Sequence, residues 1–237
     1  MNTFHLSGYP RIGAKRELKF AVEAFWKGAK SEAELQAVAA EIRRLNWAAQ
    51  KAAGADLLPV GDFSFYDQVL DTQVALGCIP KRFGFDAANL SLPEYFQLAR
   101  GNATQFAMEM TKWFDTNYHY IVPEIHANMA FHVDISKIVD EYIEAEALGL
   151  NPKINLIGPL TFLALANPVD GSDIFSLFDS ILEAYEKVLK AIESLGEEIV
   201  VQFDEPLFAK TLEPKFFSLL KIAYDTLGTT SHNLKIA

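Results

Sequence analysis

Cysteine is almost absent from this sequence: Cys78 is the only one among 237 residues. One thiol cannot form an intrachain disulfide, and a zinc site with two or more thiolate ligands cannot be completed within this chain. No stretch approaches the roughly 20 apolar residues that a membrane span requires. The start, MNTFHLSGYPRIG, lacks the basic beginning and apolar run of a signal peptide, so we expect a cytoplasmic protein.

Basic residues are outnumbered, with 21 Lys and Arg against 31 Asp and Glu, and the formal net charge is −10. This balance argues against a nucleic-acid-binding protein, which needs a basic surface, and gives no reason to expect a membrane partner. Half of the residues are apolar and 22% are charged, a composition typical of folded chains. A chain of this length can bury a sizeable core, as one large domain or two small ones.

Several catalytic signatures are also missing. No predicted strand is followed by G-x-G-x-x-G, so a dinucleotide-binding domain lacks its main signal. There is no G-x-S-x-G elbow, and the five histidines show no H-E-x-x-H or comparable ligand spacing. We therefore expect neither nucleophilic catalysis nor a histidine metal site.

Strand-like and helix-like segments alternate along the chain. The clearest helix pattern places large apolar residues three and four apart from Ile174 to Leu195, which defines one buried face. Such alternation implies right-handed crossovers and a parallel sheet. The predicted strands are 3–6, 55–60, 117–122, 153–157, 197–203 and 233–237, and the predicted helices are 16–27, 32–53, 135–148, 174–195 and 215–227, with another through Tyr66 and Leu70.

Turn and polar residues end the predicted strands, as in Gly-Asp at 61–62 and Asp-Glu-Pro at 204–206. A (β/α)₈ barrel holds its ligand groups at these strand ends, and an open doubly wound sheet is the other architecture that fits. Six strands do not close a barrel of eight, and the sequence stops inside an apolar run. We therefore predict an α/β fold of the (β/α)₈ TIM-barrel type, truncated to about six strands, with extra N-terminal helices.

Four basic residues fall within nine positions near the start of the chain: Arg11, Lys15, Arg16 and Lys19. Arg16 and Lys19 are three apart, so they would share a face of the first turn of the predicted helix. The helix N-terminus adds partial positive charge, and the whole group suits an oligo-anion such as a chain of carboxylates or a phosphate. A solvated helix start is the alternative interpretation.

Lysine and aromatic residues are interleaved in EMTKWFDTNYHYIVPE, where Lys112 precedes Trp113 and His119 lies between two tyrosines. A lysine beside aromatic rings can hold an anionic ligand whose ring stacks nearby. The alternative is that the aromatic residues belong to the core and that Lys112 is an ordinary surface charge.

Three carboxylates follow predicted strands. Asp204 and Glu205 resemble an acid and base pair, and Glu124, at another strand end, could face them as in a glycosidase. Aspartate and glutamate before proline are also ordinary helix-cap residues. Both interpretations stay open on these residues alone.

Five stretches occur in order over nearly the whole chain: GYPRIGAKRELKFA, LLPVGDFSFYDQVL, EMTKWFDTNYHYIVPE, LIGPLTFL and VQFDEPLF. Together they closely resemble the N-terminal half of the cobalamin-independent methionine synthase family. The resemblance implies that residues 1–237 are the N-terminal barrel domain of a two-barrel enzyme, incomplete at its C-terminus. It also implies that this barrel contributes to binding of the folate polyglutamate through Arg16, Glu17, Leu18 and Lys19, with a further lysine at Lys112.

This family transfers a methyl group from 5-methyltetrahydropteroyltri-L-glutamate to L-homocysteine and forms methionine. The resemblance places zinc, its thiolate ligands and the homocysteine site in the C-terminal catalytic barrel, which is the expected partner and lies outside this sequence. No catalytic residue and no metal ligand are expected here, so this chain alone should not catalyse methyl transfer. Asp204, Glu205 and Pro206 look like the counterpart of a substrate-binding strand end, retained in this half for structure.

Two other functions are compatible with the residues. A stand-alone module could bind folate or another polyanion without catalysis and could pair its open sheet edges in a dimer. A carbohydrate hydrolase could use Glu124 with Asp204 or Glu205, although only their position at strand ends favours it.

Overall fold

The structure, a computed structural model, describes residues 3–231 and 233–237, and these residues form an α/β fold. The α-helices are α1 Glu17–Trp26, α2 Glu32–Ala52, α3 Gln68–Ala75, α4 Leu92–Arg100, α5 Ser136–Ala147, α6 Pro159–Leu165, α7 Phe178–Glu193 and α8 Pro214–Thr230. The strands are β1 Leu58–Val60, β2 Met110–Lys112, β3 His119–Ile121, β4 Glu124–Ile125, β5 Pro152–Ile157, β6 Asn167–Pro168, β7 Ile199–Asp204 and β8 Leu234–Ile236. Short 3-10 helices span Lys81–Phe83, Ile174–Leu177 and Pro206–Ala209.

Four parallel strands form the main sheet, in the order β1-β5-β7-β8. In its register Val60 lies opposite Ile154, Ile154 opposite Val201, and Val201 opposite Ile236. Two smaller pairs accompany it, β2 with β3 and β4 with β6. The expected α/β fold with a mainly parallel sheet is confirmed, and closure into a barrel stays a prediction.

The predicted strand at 3–6 is only a single parallel bridge between His5 and Leu57. Side chains occupy the neighbouring backbone groups, because the Phe4 N–H donates to the Asp56 carboxylate at 2.7 Å. A ladder cannot extend where its donors and acceptors are already used. This segment therefore runs beside β1 without forming a regular strand.

The sequence pattern places the strand at 117–122 in the parallel sheet, and that prediction is wrong. It contains β3, which pairs antiparallel with β2. Residues 113–118 join the two strands through a turn in which the Thr116 N–H donates to the Trp113 carbonyl at 3.2 Å. So short a connection permits only an antiparallel hairpin, whereas a parallel pair needs a long crossover.

Sequence patterning missed two helices, α4 and α6. Ser91 and Glu94 form a capping box at the start of α4, in which the Ser91 N–H donates to the Glu94 carboxylate at 2.9 Å. That S-x-x-E spacing was an available signal. The short helix α6 is apolar on nearly all sides because it is buried all round, so it shows no amphipathic period.

Two hydrophobic cores hold these elements together. One packs the apolar face of the main sheet, including Ile154 and Val201, against α7 residues such as Tyr185 and Leu189. The other lies between α1, α2, α3 and α4 and includes the fully buried Leu35. The two extra N-terminal helices are therefore a packed layer. No helix of the described ranges is both long and apolar enough to cross a membrane.

The opposite face of the sheet is polar. Lys153 and Asn155 of β5 lie there beside Gln202 and Asp204 of β7. Lys153 is fully buried, and its ammonium donates to the Leu6 carbonyl at 2.7 Å and to the Gln202 amide oxygen. A fully buried lysine is rare in folded proteins, so this polar face of the sheet is unusual.

Candidate functional site

Residues 8–19, here called the basic segment, connect the His5 bridge to α1, and long-range hydrogen bonds hold their backbone at Tyr9 and Pro10. The Tyr9 N–H donates to the Asp62 carboxylate at 2.8 Å. The Asn46 side chain donates to the Pro10 carbonyl at 3.1 Å. The exposed cations of the basic segment therefore rest on backbone that the rest of the fold has fixed.

The turn before α1 is conformationally restricted. Gly13 has φ +81°, and a Cβ there would lie 2.2 Å from the Glu17 carboxylate. That carboxylate accepts a hydrogen bond from the Lys15 N–H at 2.9 Å. Arg16 itself is left-handed, with φ +66°, a conformation that costs a non-glycine residue roughly 1–2 kcal/mol.

The left-handed Arg16 corrects one sequence-based expectation. The helix begins at Glu17, so Arg16 precedes the first turn and does not share a helical face with Lys19. Backbone strain of this kind occurs often at binding sites, where the surrounding structure imposes it.

The five predicted binding residues have different environments. Leu18 is 2% exposed and anchors α1 in the second core. The Lys19 side chain is half exposed, and its ammonium lies 3.8 Å from Glu23. Arg16 and Lys112 are exposed. Three cations are thus available to a ligand, while Leu18 and Glu17 hold the segment that carries two of them.

A cavity of about 510 Å³, here called the aromatic cavity, lies beside the basic segment. Leu18 and Lys19 line it, whereas Arg16, Glu17 and Lys112 are not among the residues of the described ranges that do so. Its walls include the rings of Trp26, Phe65, Tyr66 and Tyr118. The structure therefore brings two of the five predicted residues into one cavity and leaves three outside it.

Arg11 connects the aromatic cavity with the β2–β3 hairpin. Its guanidinium donates to the Tyr66 carbonyl at 2.5 Å and to the Tyr118 hydroxyl, and it lies 5.3 Å from the centre of the Tyr118 ring. Tyr118 in turn accepts a hydrogen bond at its carbonyl from the Trp113 N–H, next to Lys112. The hairpin that carries Lys112 is therefore fastened to the basic segment through one side chain.

The carboxylates first considered as an acid and base pair are occupied by protein partners. Glu205 accepts from the N–H groups of Leu160 and Thr161 at 3.0 and 2.7 Å, from the Thr161 hydroxyl and from the Tyr224 hydroxyl. Burial raises the pKa of Glu205, and these hydrogen bonds oppose the rise. Glu205 therefore caps the start of α6, in agreement with a structural role.

Glu124 is also engaged. The Arg82 guanidinium donates to both of its carboxylate oxygens, at 2.9 and 2.6 Å. Both side chains are mostly buried, with exposed fractions of 21% for Arg82 and 16% for Glu124. A bidentate pair of this kind is a strong structural link. The contacts of Glu124 and Glu205 thus give no support to a glycoside hydrolase.

The residues described here do not fit a zinc site. Within the described ranges, no group of three or more His, Cys, Asp or Glu side chains could hold a metal ion. Cys78 is buried beside Met129, and burial raises the pKa of its thiol well above the ordinary value. A buried thiol of raised pKa does not readily supply the thiolate that zinc requires. His232 lies outside the described residues.

A family model described as "Cobalamin-independent synthase, N-terminal domain" matches residues 3–237. The chain belongs to this family.

Curated relatives of this synthase family bear the name 5-methyltetrahydropteroyltriglutamate–homocysteine methyltransferase. One from Neisseria meningitidis serogroup B is 49% identical over 239 residues, covering 100% of this chain and 31% of the relative. One from Pasteurella multocida is 50% identical over 228 residues, covering 96% of this chain and 30% of the relative. One from Haemophilus influenzae is 48% identical over 238 residues, covering 100% of this chain and 31% of the relative.

The chain thus spans about a third of the length of these synthase-family relatives. The resemblance noted from five sequence stretches is confirmed at the level of the family. The matches concern the whole length of this chain, and its individual binding residues remain predictions.

Proposed function

We propose that this chain forms the polyglutamate-binding part of a methyltransferase that converts L-homocysteine to methionine with 5-methyltetrahydropteroyltri-L-glutamate. The names of relatives that are 48–50% identical support the reaction. The observation that supports the local role is the set of exposed cations, Arg16, Lys19 and Lys112, on elements joined through Arg11 and Tyr118.

A triglutamate tail carries several carboxylates at neutral pH, and each can accept charge-assisted hydrogen bonds from arginine or lysine. Arg16 lies directly before α1, Lys19 lies in its first turn, and Lys112 lies at the end of β2 in the hairpin. In this proposal Glu17 and Leu18 position the two cations and do not themselves bind the tail, since Leu18 is buried and Glu17 closes the turn.

Zinc and homocysteine belong, in this proposal, to a separate C-terminal barrel, because the relatives are about three times as long as this chain. The proposal also treats residues 1–237 as part of an N-terminal barrel whose remaining strands lie in that longer polypeptide. Without the other barrel we expect no methyl transfer. A stand-alone polyanion-binding module would use the same cations, and the names and the length of the relatives favour the enzyme over it.

The proposal is tested by folate binding to the native full-length polypeptide, measured by calorimetry at low and high salt. We expect the triglutamyl form to bind more tightly than the monoglutamyl form, with a difference that shrinks as salt screens exposed charges. Arg16→Ala, Lys19→Ala and Lys112→Ala should each weaken triglutamate binding about two- to fivefold, the range for exposed ion pairs.

Lys190→Ala is the matched control. Lys190 is an exposed lysine on α7, the helix that packs on the apolar face of the main sheet. Binding of the monoglutamate should change little in any of these variants. An unchanged preference for triglutamate in all three site variants would remove these residues from the tail site.

A further inference from the structure

A second cavity, of about 500 Å³, lies at the carboxyl end of the main sheet, and we call it the carboxylate cavity. Asp62, which follows β1, Asn155 of β5 and Asp204 at the end of β7 all line it. In the register Asn155 lies opposite Gln202, so Asn155 and Asp204 share one face of neighbouring strands. The carboxyl ends of parallel strands are where α/β proteins place their ligands.

Asn155 carries a buried acceptor that lacks a partner. Its residue is 5% exposed, and its amide nitrogen donates to the Ser7 carbonyl. Because a carbonyl oxygen can only accept, the amide cannot be turned the other way, so the orientation of Oδ1 is determined. That oxygen is buried and has no hydrogen-bond partner within the described ranges. A buried acceptor of this kind calls for a donor from outside the chain.

Asp62 and Asp204 also have few hydrogen-bond donors near their carboxylate oxygens. Asp62 accepts from the Tyr9 N–H at 2.8 Å, and Asp204 accepts from the Gln202 amide at 2.5 Å. Neither carboxylate forms an ion pair within 4.0 Å among the residues that the structure describes. Glu205, on the same edge of the sheet, has four donors by comparison.

The cations near these carboxylates are directed to other partners. Lys137, which lines the cavity and lowers the pKa of Asp62, pairs with Asp71 at 3.4 Å and with Glu141 at 2.9 Å. The Lys153 ammonium is directed to the Leu6 carbonyl, to the Gln202 amide oxygen and to His5 Nδ1, at 3.0 Å from the last. Burial raises the pKa of Asp62 to about 6, with the Tyr9 N–H opposing the rise. Burial likewise raises the pKa of Asp204. Both carboxylates would be stabilised in their charged form by a cation in the cavity.

We propose that the carboxylate cavity binds a small organic cation through a primary ammonium group, received by Asp62, Asp204 and the Asn155 amide oxygen. An ammonium offers three N–H donors and no acceptor, which matches three oxygen acceptors. A metal ion is the less suitable occupant, because no metal-binding group of three or more side chains occurs in the described ranges. The ligand is opposite in charge to the polyglutamate proposed for the basic segment, and the two proposals are independent.

The probe is n-butylammonium, with n-butanol and butyrate as neutral and anionic matches of similar size, titrated calorimetrically into the native full-length polypeptide. We expect the ammonium to bind at least tenfold more tightly than either. Asp62→Asn and Asp204→Asn each keep an amide oxygen for their one hydrogen bond, so the fold should persist while ammonium affinity falls at least tenfold.

Asp179→Asn is the matched control, because Asp179 is exposed in the first turn of α7 and does not line the cavity. Its ammonium affinity should equal that of the native chain. Failure of butylammonium to bind, equal affinity for butanol, or binding of Mg²⁺ in its place would each overturn the proposal. The triglutamate preference provides a separate readout, so either proposal can fail without the other.

Discussion

The basic segment and the carboxylate cavity adjoin, since Gly8, Tyr9 and Arg11 line the cavity and the Tyr9 N–H donates to Asp62, yet the two regions differ in charge and exposure. The cations Arg16 and Lys19 are solvated, so their effect on a ligand is modest and sensitive to salt. Asp62 and Asp204 are partly buried, and burial raises the pKa of both, so their charged forms are costly until a ligand binds. The exposed cations therefore change ligand affinity only modestly. At the partly buried carboxylates, ligand binding is expected to change both the pKa of the carboxylate and the stability of the fold.

The largest loss of stability is expected from Glu205→Leu. This variant tests whether Glu205 has a structural role, unlike Asp62 and Asp204, for which we propose ligand binding. Removing this acceptor leaves four hydrogen-bond donors without a partner. Two of them, the N–H groups of Leu160 and Thr161, lie at the start of α6. Each unmade buried hydrogen bond costs about 1–3 kcal/mol, so the free energy of unfolding should fall by roughly 3 kcal/mol or more.

Urea denaturation measures this loss. Glu183→Leu, which removes an exposed partner of Lys187, should change stability by less than about 1 kcal/mol. A similar small loss in both variants would contradict the capping role of Glu205.

Asp62→Asn should change the free energy of unfolding by an intermediate amount that depends on pH. Because the folded-state pKa of about 6 exceeds the ordinary 3.8, the folded chain retains this proton longer than the unfolded chain. The contribution of Asp62 to stability is therefore fully present below about pH 4, falls as pH rises to about 6, and is constant above. At pH 7 the asparagine variant should be more stable by about 1–3 kcal/mol.

Denaturant titrations of the native chain and the variant between pH 4 and 8 measure that difference. Asp56→Asn serves as the control, because Asp56 also accepts a backbone N–H, from Phe4, at an exposed position. Parallel pH profiles for the native chain and the Asp62 variant would show that burial does not raise this pKa.

Arg16→Gly should give the smallest stability change and separates the binding role of the segment from its folding. Glycine adopts the left-handed conformation at φ +66° without a steric penalty, so stability should rise by up to about 1 kcal/mol. Triglutamate binding should weaken two- to fivefold in the same variant. Thermal unfolding measures the stability of this variant, and calorimetry on the same preparation measures its triglutamate affinity. A loss of stability would contradict backbone strain at Arg16, and unchanged affinity would contradict its role in binding the tail.

Much of the helical architecture is predictable from periodicity. The apolar spacing between Ile174 and Leu195 predicts the helix that contains α7, because one face packs on the sheet. The boundary was less predictable, since Asp173 caps a 3-10 turn before α7 begins at Phe178. Fully buried α6 carries no such period, and a local pattern cannot reveal a helix that is apolar on all sides.

Strand pairing was less predictable than strand position. Residues 119–121 are extended as expected, but their partner is the neighbouring β2 and not the main sheet. Extended propensity is local, whereas pairing depends on which backbone edge is free nearby. Local sequence also could not predict the pairing of residues 3–6, because the side chain of Asp56 accepts the Phe4 N–H that a strand ladder would use.

Residue patterns alone identified the family and the α/β class, and they predicted three cations for the tail site. The folded chain was needed to show that Arg11 links the hairpin to the basic segment and that Asp62, Asn155 and Asp204 line one cavity. The reason is physical: composition and local spacing act along the chain, whereas Tyr9 and Asp62, or Arg11 and Tyr118, lie 53 and 107 positions apart. Such pairs meet only when the packed sheet and helices bring them together.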